Sequence, residues 1–234
     1  MEKISGIVLR IVKFNDKHQV IDLFTLSRGR MAFVAPVKVR LSPLMVVDIM
    51  AEIHPNRSLQ KITSLSSVSS HESMQSLRLD PLKSMIMMYM AEFLSGAIRE
   101  EAPDTPLYKY IEESLKWLDL AKEGFANFHL VFMMKMTRFL GFAPNLDGWK
   151  RGCYFDLASG CCTEAHPTHQ WFLQPHEARA LPYLLRMNYE NMHRYAFSHD
   201  QRFRILGVLN DYYSIHIAGF SQQKSLEVLH EMFE

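Results

Sequence analysis

The chain has 234 residues, 48% of them hydrophobic, which is enough for one large domain or two small ones with packed cores. It contains no run of 18 uncharged apolar residues, which argues against a membrane span and against a membrane partner. The sequence opens with Glu2 and Lys3 rather than an apolar signal segment, which argues against secretion. The three cysteines form no obvious disulfide framework, so we predict a cytoplasmic, nucleoid-associated protein.

The net charge of +1 hides an uneven distribution of charge along the chain. Residues 1–70 contain 10 Lys and Arg against 5 Asp and Glu, whereas the remaining residues contain 16 against 20. The first segment therefore has a charge of +5 and the second a charge of −4. A small basic β module is a common platform for single-stranded nucleic acid, so this distribution favours a nucleic-acid-binding N-terminus.

The first 70 residues have the alternating, β-branched pattern of short strands, predicted at 4–14, 19–26, 31–37, 45–53 and 59–65. Turn residues separate the strands, and Gly29 suits a turn position with positive φ. Pro36 cannot donate a ladder hydrogen bond, which indicates an edge position or a bulge. Five antiparallel strands in this length predict an OB-fold barrel, with a β sandwich as the competing architecture.

The rest of the chain has helical patterns after a Ser-rich linker at 64–76. Asp80 and Pro81 suit the N-cap and first position of a helix. Helices are predicted at 81–101, 106–118, 125–140, 175–188, 200–218 and 221–233. Because strands and helices form separate blocks, we predict an α+β multidomain protein. Its OB-fold domain covers 1–70, and an all-α domain covers 77–234 with an irregular, loop-rich, cysteine-poor insertion at 145–174.

Six cations lie at predicted turns and strand ends, where OB-folds present their ligand-binding loops. Lysine and arginine neutralise phosphates and release counterions, while exposed aromatic rings stack on bases. Phe14 and Phe33 are the candidate stacking residues. An ordinary solvated surface with buried aromatic residues is the alternative interpretation. The candidate nucleic-acid contacts are Lys13, Lys17, Arg28, Arg30, Lys38 and Arg40.

A cysteine- and histidine-containing stretch falls inside the insertion and includes Cys153, Cys161, Cys162, His166 and His169. Structural zinc sites normally pair their ligands as Cys-x2-Cys or His-x3–5-His. Here two cysteines are adjacent and one is isolated, so we predict buried thiols and surface imidazoles rather than a resident metal. A degenerate zinc site that uses His166 and His169 as one half is the alternative.

Motifs for catalysis are absent from the sequence. It contains neither a Gly-x4-Gly-Lys-Ser/Thr phosphate loop nor a Gly-x-Ser-x-Gly nucleophile elbow. Asp211, next to Tyr212 and Tyr213, is the one polar cluster on an otherwise apolar helix, and we interpret it as a packing feature. We therefore predict a protein that is not an enzyme and that has no cofactor.

Several short motifs resemble the RecO family of DNA repair and recombination-mediator proteins, in the divergent form found in Bacteroidetes. Each motif is weak alone, and their order and spacing carry the resemblance. The motifs are Gly-Ile-Val-Leu-Arg at 6–10, Leu-Phe-Thr at 23–25 with Gly29, Tyr-Met-Ala-Glu-Phe-Leu at 89–94, Phe-Leu-Gly-Phe-Ala-Pro-Asn-Leu at 139–146, Tyr-Phe-Asp-Leu at 154–157 with Gly160, Tyr-Tyr-Ser-Ile-His at 212–216 and Lys-Ser-Leu at 224–226.

The resemblance implies an OB-fold joined to a helical domain, without bond-making activity. It implies binding of single- and double-stranded DNA, strand annealing, and assistance in loading RecA onto DNA coated with single-strand-binding protein (SSB). The implied partners are RecR and the acidic, apolar C-terminal tail of SSB. Many members carry a four-cysteine zinc site, but this sequence lacks the first cysteine pair expected near 147–151. The basic stretch that follows the third strand in the family is reduced here to Lys38 and Arg40.

An acidic tail with an apolar end requires an apolar pocket rimmed by cations. The most apolar predicted helix, 125–140, carries Lys135 and Arg138 three residues apart, so both lie on one face. We predict that this pair binds the SSB tail, with ordinary last-turn cations favoured by the helix dipole as the alternative. Two other functions remain open: a protein-interaction adaptor that binds DNA weakly or not at all, and a metal-dependent nuclease, which would need an acidic cluster that the sequence lacks.

Overall fold

The computed structural model describes residues 1–39, 41–66, 74, 76–99, 102–221 and 223–226, without the side chains of 63–66. Contacts divide the chain into two compact units, residues 1–120 with the segment that starts at 223, and residues 121–222. The first unit thus joins the N-terminal strands to the helices that follow them. The domains 1–70 and 77–234 stay a prediction. Most of the predicted linker lies outside the described residues.

Five strands form the N-terminal sheet: β1 (Glu2–Lys13), β2 (His18–Thr25), β3 (Gly29–Pro36), β4 (Val46–Glu52) and β5 (Leu59–Ser66). They close in the order β1-β2-β3-β5-β4, with β3 and β5 parallel and the other neighbours antiparallel. This closed ring confirms the predicted OB-like barrel and rules out the competing sandwich. Pro36 is the last residue of β3, where its missing N–H costs no internal ladder bond.

The barrel closes because β1 is long enough to pair with two neighbours. Its first half pairs with β4 and most of its length with β2, and the register shifts between Val8 and Arg10. Such a bulge bends a strand and increases its twist, which lets one strand serve both sides of a barrel. Alternate residues of every strand then point into a common apolar core, including Ile4, Val8, Ile21, Leu23, Phe33, Val47 and Ile49.

Three helices complete the first unit: α1 (Ser76–Leu79), α2 (Pro81–Ala97) and α3 (Thr105–Leu120). The Asp80 carboxylate accepts hydrogen bonds from the backbone N–H groups of Leu82 and Lys83, which confirms the predicted N-cap. At α3, Asp104 caps the helix, because its carboxylate accepts the N–H of Leu107. Helix α2 ends at Ala97, so the predicted continuation through 98 and 99 is wrong, and 100–101 lie outside the described residues.

Two motifs of the RecO resemblance meet in this unit. The Glu92 carboxylate of α2 accepts the N–H groups of Lys224 and Ser225, each at 2.9 Å, and the Ser225 hydroxyl at 2.7 Å. These bonds lower the pKa of Glu92, although partial burial opposes them. Glu92 therefore holds the C-terminal segment against α2. The predicted last helix, 221–233, lies mostly outside the described residues.

The second unit contains α4 (Phe128–Phe139), α5 (Pro175–Ala178), α6 (Leu181–Arg186), a 3-10 turn at Met192–Arg194 and α7 (His199–His216). The single helix predicted at 175–188 is wrong, because the chain breaks between α5 and α6. Pro182 lacks an N–H and cannot continue a preceding helix, so it lies in the first turn of a new one. Ser198 and Gln201 form a capping box that starts α7.

The predicted irregular insertion contains a small antiparallel sheet: β6 (Tyr154–Asp156), β7 (Cys161–Thr163) and β8 (Phe172–Leu173), ordered β7-β6-β8. The prediction of a wholly irregular segment is therefore wrong, because strands of two or three residues are too short to show alternation. Gly160 turns the β6–β7 hairpin with a φ of 69°. A Cβ at Gly160 would lie 2.7 Å from the Tyr212 hydroxyl, which donates to the Phe142 carbonyl, so three of the resembling motifs pack together.

Candidate nucleic-acid interface

The β1–β2 turn presents two of the predicted cations to solvent. Lys13 is exposed and pairs with Asp16 at 2.9 Å, and Lys17 is exposed beside it. The Asn15 side chain accepts the backbone N–H groups of Lys17 and His18, which holds the turn in shape. Phe14 in the same turn is 65% exposed. The turn therefore combines positive charge with an accessible aromatic ring.

Phe33, the second predicted stacking residue, is 0% exposed and belongs to the barrel core. The prediction of a stacking role for Phe33 is wrong. The Phe33 side chain points into the barrel, because side chains alternate between the two faces of a strand and this face of β3 is the inner one.

Arg28 and Lys38 lie in the turns at the two ends of β3. The Arg28 guanidinium donates to both carboxylate oxygens of Glu2 at 2.9–3.1 Å, with both side chains partly exposed. Exposed pairs of this kind contribute little stability and separate readily when a competing anion approaches. Lys38 is exposed, and Arg40 lies outside the described residues.

Arg30 has structural contacts that the sequence did not indicate. Its side chain is 22% exposed and pairs with Asp22 at 3.0 Å. Its Nη1 also donates to the carbonyl oxygens of Ser95 and Ile98 at 2.7 and 2.6 Å. Arg30 therefore satisfies carbonyls at the C-terminal end of α2, which have no partner within the helix.

A cleft of about 630 Å³ opens beside these residues within the first unit. Four arginines line it, and Asp22 is the one carboxylate among its described lining residues. We call this cleft, lined by Arg28, Arg30, Arg57, Arg99 and His54, the arginine cleft.

The β4–β5 loop, which supplies Arg57 and His54, is held in place by the buried side chain of Gln60. Its Oε1 accepts the His54 N–H at 2.9 Å, and its Nε2 donates to the carbonyls of His54 and Arg57 at 3.0 and 2.5 Å. The Arg57 guanidinium makes no hydrogen bond or ion pair with any described residue. Arg99 enters from the end of α2, where its Nε donates to the Gly96 carbonyl at 3.1 Å.

Arg57, Arg99 and His54 were not predicted from the sequence as candidate contacts. Arg57 counted only toward the charge of the basic module, and Arg99 belongs to a helix outside the predicted OB-fold domain. A local signal exists for His54 and Arg57, which lie in the turn between two predicted strands. The arrangement as a whole depends on contacts between distant segments.

In the second unit, Lys135 and Arg138 both lie on α4, but their surroundings differ. Lys135 is half-buried with its Nζ 5.2 Å from the centre of the Tyr189 ring, and Tyr189 in turn stacks on Phe128. Burial, together with the nearby Arg138, lowers the pKa of Lys135, and Glu190 opposes that shift. Arg138 is exposed in the last turn of the helix.

The cysteine and histidine stretch folds around the small sheet. Cys153 is buried, Cys161 and Cys162 are partly buried, and burial with a hydrogen bond to Cys153 raises the pKa of Cys162 to about 12. His166 packs against the rings of Tyr154 and Phe172.

His169 Nε2 lies 3.4 Å from Asp156 Oδ1. Within the described ranges, no three His, Cys, Asp or Glu side chains are arranged to hold a metal ion. The expectation of a metal-free protein stays a prediction. Among the described helices, none combines the length and apolar character needed to cross a bilayer.

The first unit combines an OB-like barrel with a cleft lined by four arginines. Comparison with known proteins is more specific. The family described as "Recombination protein O C terminal" matches residues 78–227. The chain is 41% identical to the DNA repair protein RecO of Bacteroides fragilis over 100% of both chains.

It is also 40% identical to that of Phocaeicola vulgatus over 100% of this chain and 99% of the relative. The DNA repair protein RecO of Flavobacterium johnsoniae is 31% identical over 99% of this chain and 98% of the relative. The chain therefore belongs to the RecO family of DNA repair proteins, which act as non-enzymatic recombination mediators. This result confirms the resemblance drawn from the short motifs.

Proposed function

We propose that the protein binds single- and double-stranded DNA through its barrel, anneals complementary strands, and assists RecA loading on SSB-coated DNA in the cytoplasm. The arginine cleft is the observation that carries this proposal. Arginine presents a planar fork that matches phosphate geometry, and several forks around one cleft can follow a sugar–phosphate backbone. The barrel makes this site rigid, since Gln60 anchors the loop that carries Arg57.

The exposed β1–β2 turn extends this surface. Lys13 and Lys17 add positive charge, and Phe14 offers a ring on which a base can stack, worth about 1–3 kcal/mol. Lys38 adds a further cation after β3, and Arg40 is proposed as another contact from its position in the sequence alone. Arg30 is proposed to contribute charge to the cleft while it supports the cleft wall.

A salt titration tests the DNA-binding proposal. For single-stranded DNA, the slope of log K against log salt changes by about 0.7 for each phosphate that the protein no longer neutralises. Replacing Arg28 and Arg57 with alanine should therefore lower affinity and flatten the slope by about 1.4. The matched control replaces Arg78 and Lys109, which are exposed and do not line the cleft. An unchanged slope in the cleft variant, or an equal change in the control, would contradict the proposal.

We further propose that the protein binds RecR and that Lys135 and Arg138 bind the acidic tail of SSB. Exposed Arg138 is available to a carboxylate, and Phe139 beside it is 37% exposed. A tail peptide should bind with micromolar affinity, about −8 kcal/mol. The variant Arg138→Glu should weaken binding at least tenfold, while Arg204→Glu, an exposed arginine on α7, should not. Equal affinity of all three proteins would place the tail site elsewhere.

A second candidate function is an interaction adaptor with weak or no DNA binding. It is favoured by the internal pairing of three predicted contacts, Lys13 with Asp16, Arg28 with Glu2 and Arg30 with Asp22. The salt titration separates the two functions. A mediator requires a steep dependence on salt, and an adaptor requires DNA affinity that is low at every salt concentration.

A further inference from the structure

The second unit contains a groove that the proposed DNA-binding function does not use. It has a volume of about 410 Å³ and lies between the small sheet and helices α5 and α7. Apolar side chains form much of its wall, and polar groups lie among them. We call this groove, lined by Leu157, Gln170, Trp171, Phe172, Leu173, Glu177, Val208 and Asp211, the Trp171 groove.

The Trp171 groove has negative charge without a positive counterpart. It is lined by the carboxylates of Glu177 and Asp211, and no Lys, Arg or His is among its described lining residues. Asp211 makes no side-chain hydrogen bond or ion pair with any described residue. Burial of its carboxyl raises the pKa of Asp211, with no neighbouring charge involved. The residue itself is exposed, so its carboxylate is accessible from the groove and can accept hydrogen bonds from a ligand.

Trp171 supplies an accessible aromatic face in the same groove. The residue is 40% exposed, unlike most large aromatic side chains of this chain. Its backbone is fixed, because its N–H donates to His169 Nδ1 and its carbonyl accepts the Leu157 N–H at 3.0 Å. The indole is therefore held at the groove by rigid main chain, while its ring remains open to solvent.

We propose that the Trp171 groove binds an arginine side chain presented by a protein partner. A guanidinium is flat and weakly hydrated, so it stacks on an indole face and donates to carboxylates at the same time. Asp211 and Glu177 supply the acceptors. Glu177 Oε2 already accepts the Gln174 N–H, which leaves its other oxygen for a ligand. Phosphate is repelled by these carboxylates, so the occupant is a protein segment and not nucleic acid.

The test uses the full-length protein and the peptide acetyl-Gly-Arg-Gly-amide. The chain has three tryptophans, so its NMR spectrum contains three indole N–H signals. The signal that is missing in the variant Trp171→Phe is the signal of Trp171. The arginine peptide should shift the Trp171 signal in a saturable way and leave those of Trp117 and Trp149 in place. The matched peptide with citrulline, which has the same shape without charge, should bind at least tenfold more weakly.

Two variants separate a binding role from a structural one. Asp211→Asn keeps the shape of the side chain and should weaken binding of the arginine peptide at least tenfold. The thermal stability of the protein should be unchanged or higher. Asp147→Asn removes an exposed carboxylate that does not line the groove, and it should leave binding unchanged.

Equal binding of the citrulline and arginine peptides, or an unchanged affinity in Asp211→Asn, would overturn the proposal. Self-association of the protein that disappears in Asp211→Asn would also overturn it, in favour of a second copy of the chain as the occupant.

Discussion

The arginine cleft of the first unit and the Trp171 groove of the second have opposite charge and different supporting contacts. In the arginine cleft, Arg28 and Arg30 pair with carboxylates, while Arg57 makes no such contact with a described residue. In the Trp171 groove, two carboxylates and no Lys, Arg or His are among the described lining residues. A partly buried pair such as Arg30 with Asp22 holds its charges in place, whereas an exposed pair such as Arg28 with Glu2 separates readily when a competing anion approaches. A charge without a partner is available to a ligand at once.

The same distinction applies to single residues of one type. Arg30 and Arg57 line one cleft, yet Arg30 makes three hydrogen bonds with distant parts of its unit and Arg57 makes none with its side chain among the described residues. Glu92 accepts three hydrogen bonds, whereas Asp211 accepts none at its carboxylate from any described group. The sequence gives Arg30 and Arg57 the same charge, and likewise Glu92 and Asp211, so it does not show which of each two is held by other residues.

The largest effect is expected at Arg30. Replacing it with alanine removes the partner of Asp22 and of two helix-terminal carbonyls, which should reduce the free energy of unfolding by about 3 kcal/mol. Arg57→Ala should change it by less than about 0.5 kcal/mol, because that side chain has no described partner. Urea denaturation of both variants measures the difference. Equal stabilities would break the distinction between the two arginines.

An intermediate effect is expected from His129, a buried imidazole in the second unit. Burial, with a contribution from Arg202, lowers the pKa of His129 from 6.5 to about 3. Between these values the unfolded chain binds the proton and the folded chain does not. The stabilising effect of neutral His129 is therefore complete above pH 6.5 and is lost as the pH falls, by about 1.4 kcal/mol per unit.

Unfolding measured from pH 7 to pH 5 should show this loss in the parent protein. The variant His129→Leu should lose this part of the pH dependence, and His176→Gln, at an exposed position, should keep it. A parent protein with the same pH dependence as His129→Leu would show that this imidazole is accessible to protons in the folded state.

The smallest effect is expected from the two carboxylates. Glu92→Gln weakens hydrogen bonds to two backbone N–H groups and one hydroxyl, and should cost about 1–2 kcal/mol of the free energy of unfolding. Asp211→Asn should cost nothing, since no described group donates to its carboxylate. Thermal unfolding of the two variants at neutral pH measures this contrast, and a cost at Asp211 that matches the cost at Glu92 would contradict it.

Features that depend on residues close together in the sequence were predictable from it. The five strands, the helix that starts at Asp80 and the RecO family all follow from alternation, capping residues and short motifs in order. The boundaries were less accurate, as at α5 and α6, where one proline separates two helices. The small sheet was missed because its strands are too short to have a recognisable period.

The candidate sites depended on contacts between residues far apart in the chain. Arg30 meets Ser95 and Ile98 across 65 and 68 residues, and the Trp171 groove joins β8 to α7. Periodicity and composition describe one segment at a time, so they identify which residues are charged and which strands form. Whether a charge is paired, buried or open to a ligand is determined by residues from other segments, and these become neighbours only when the chain folds.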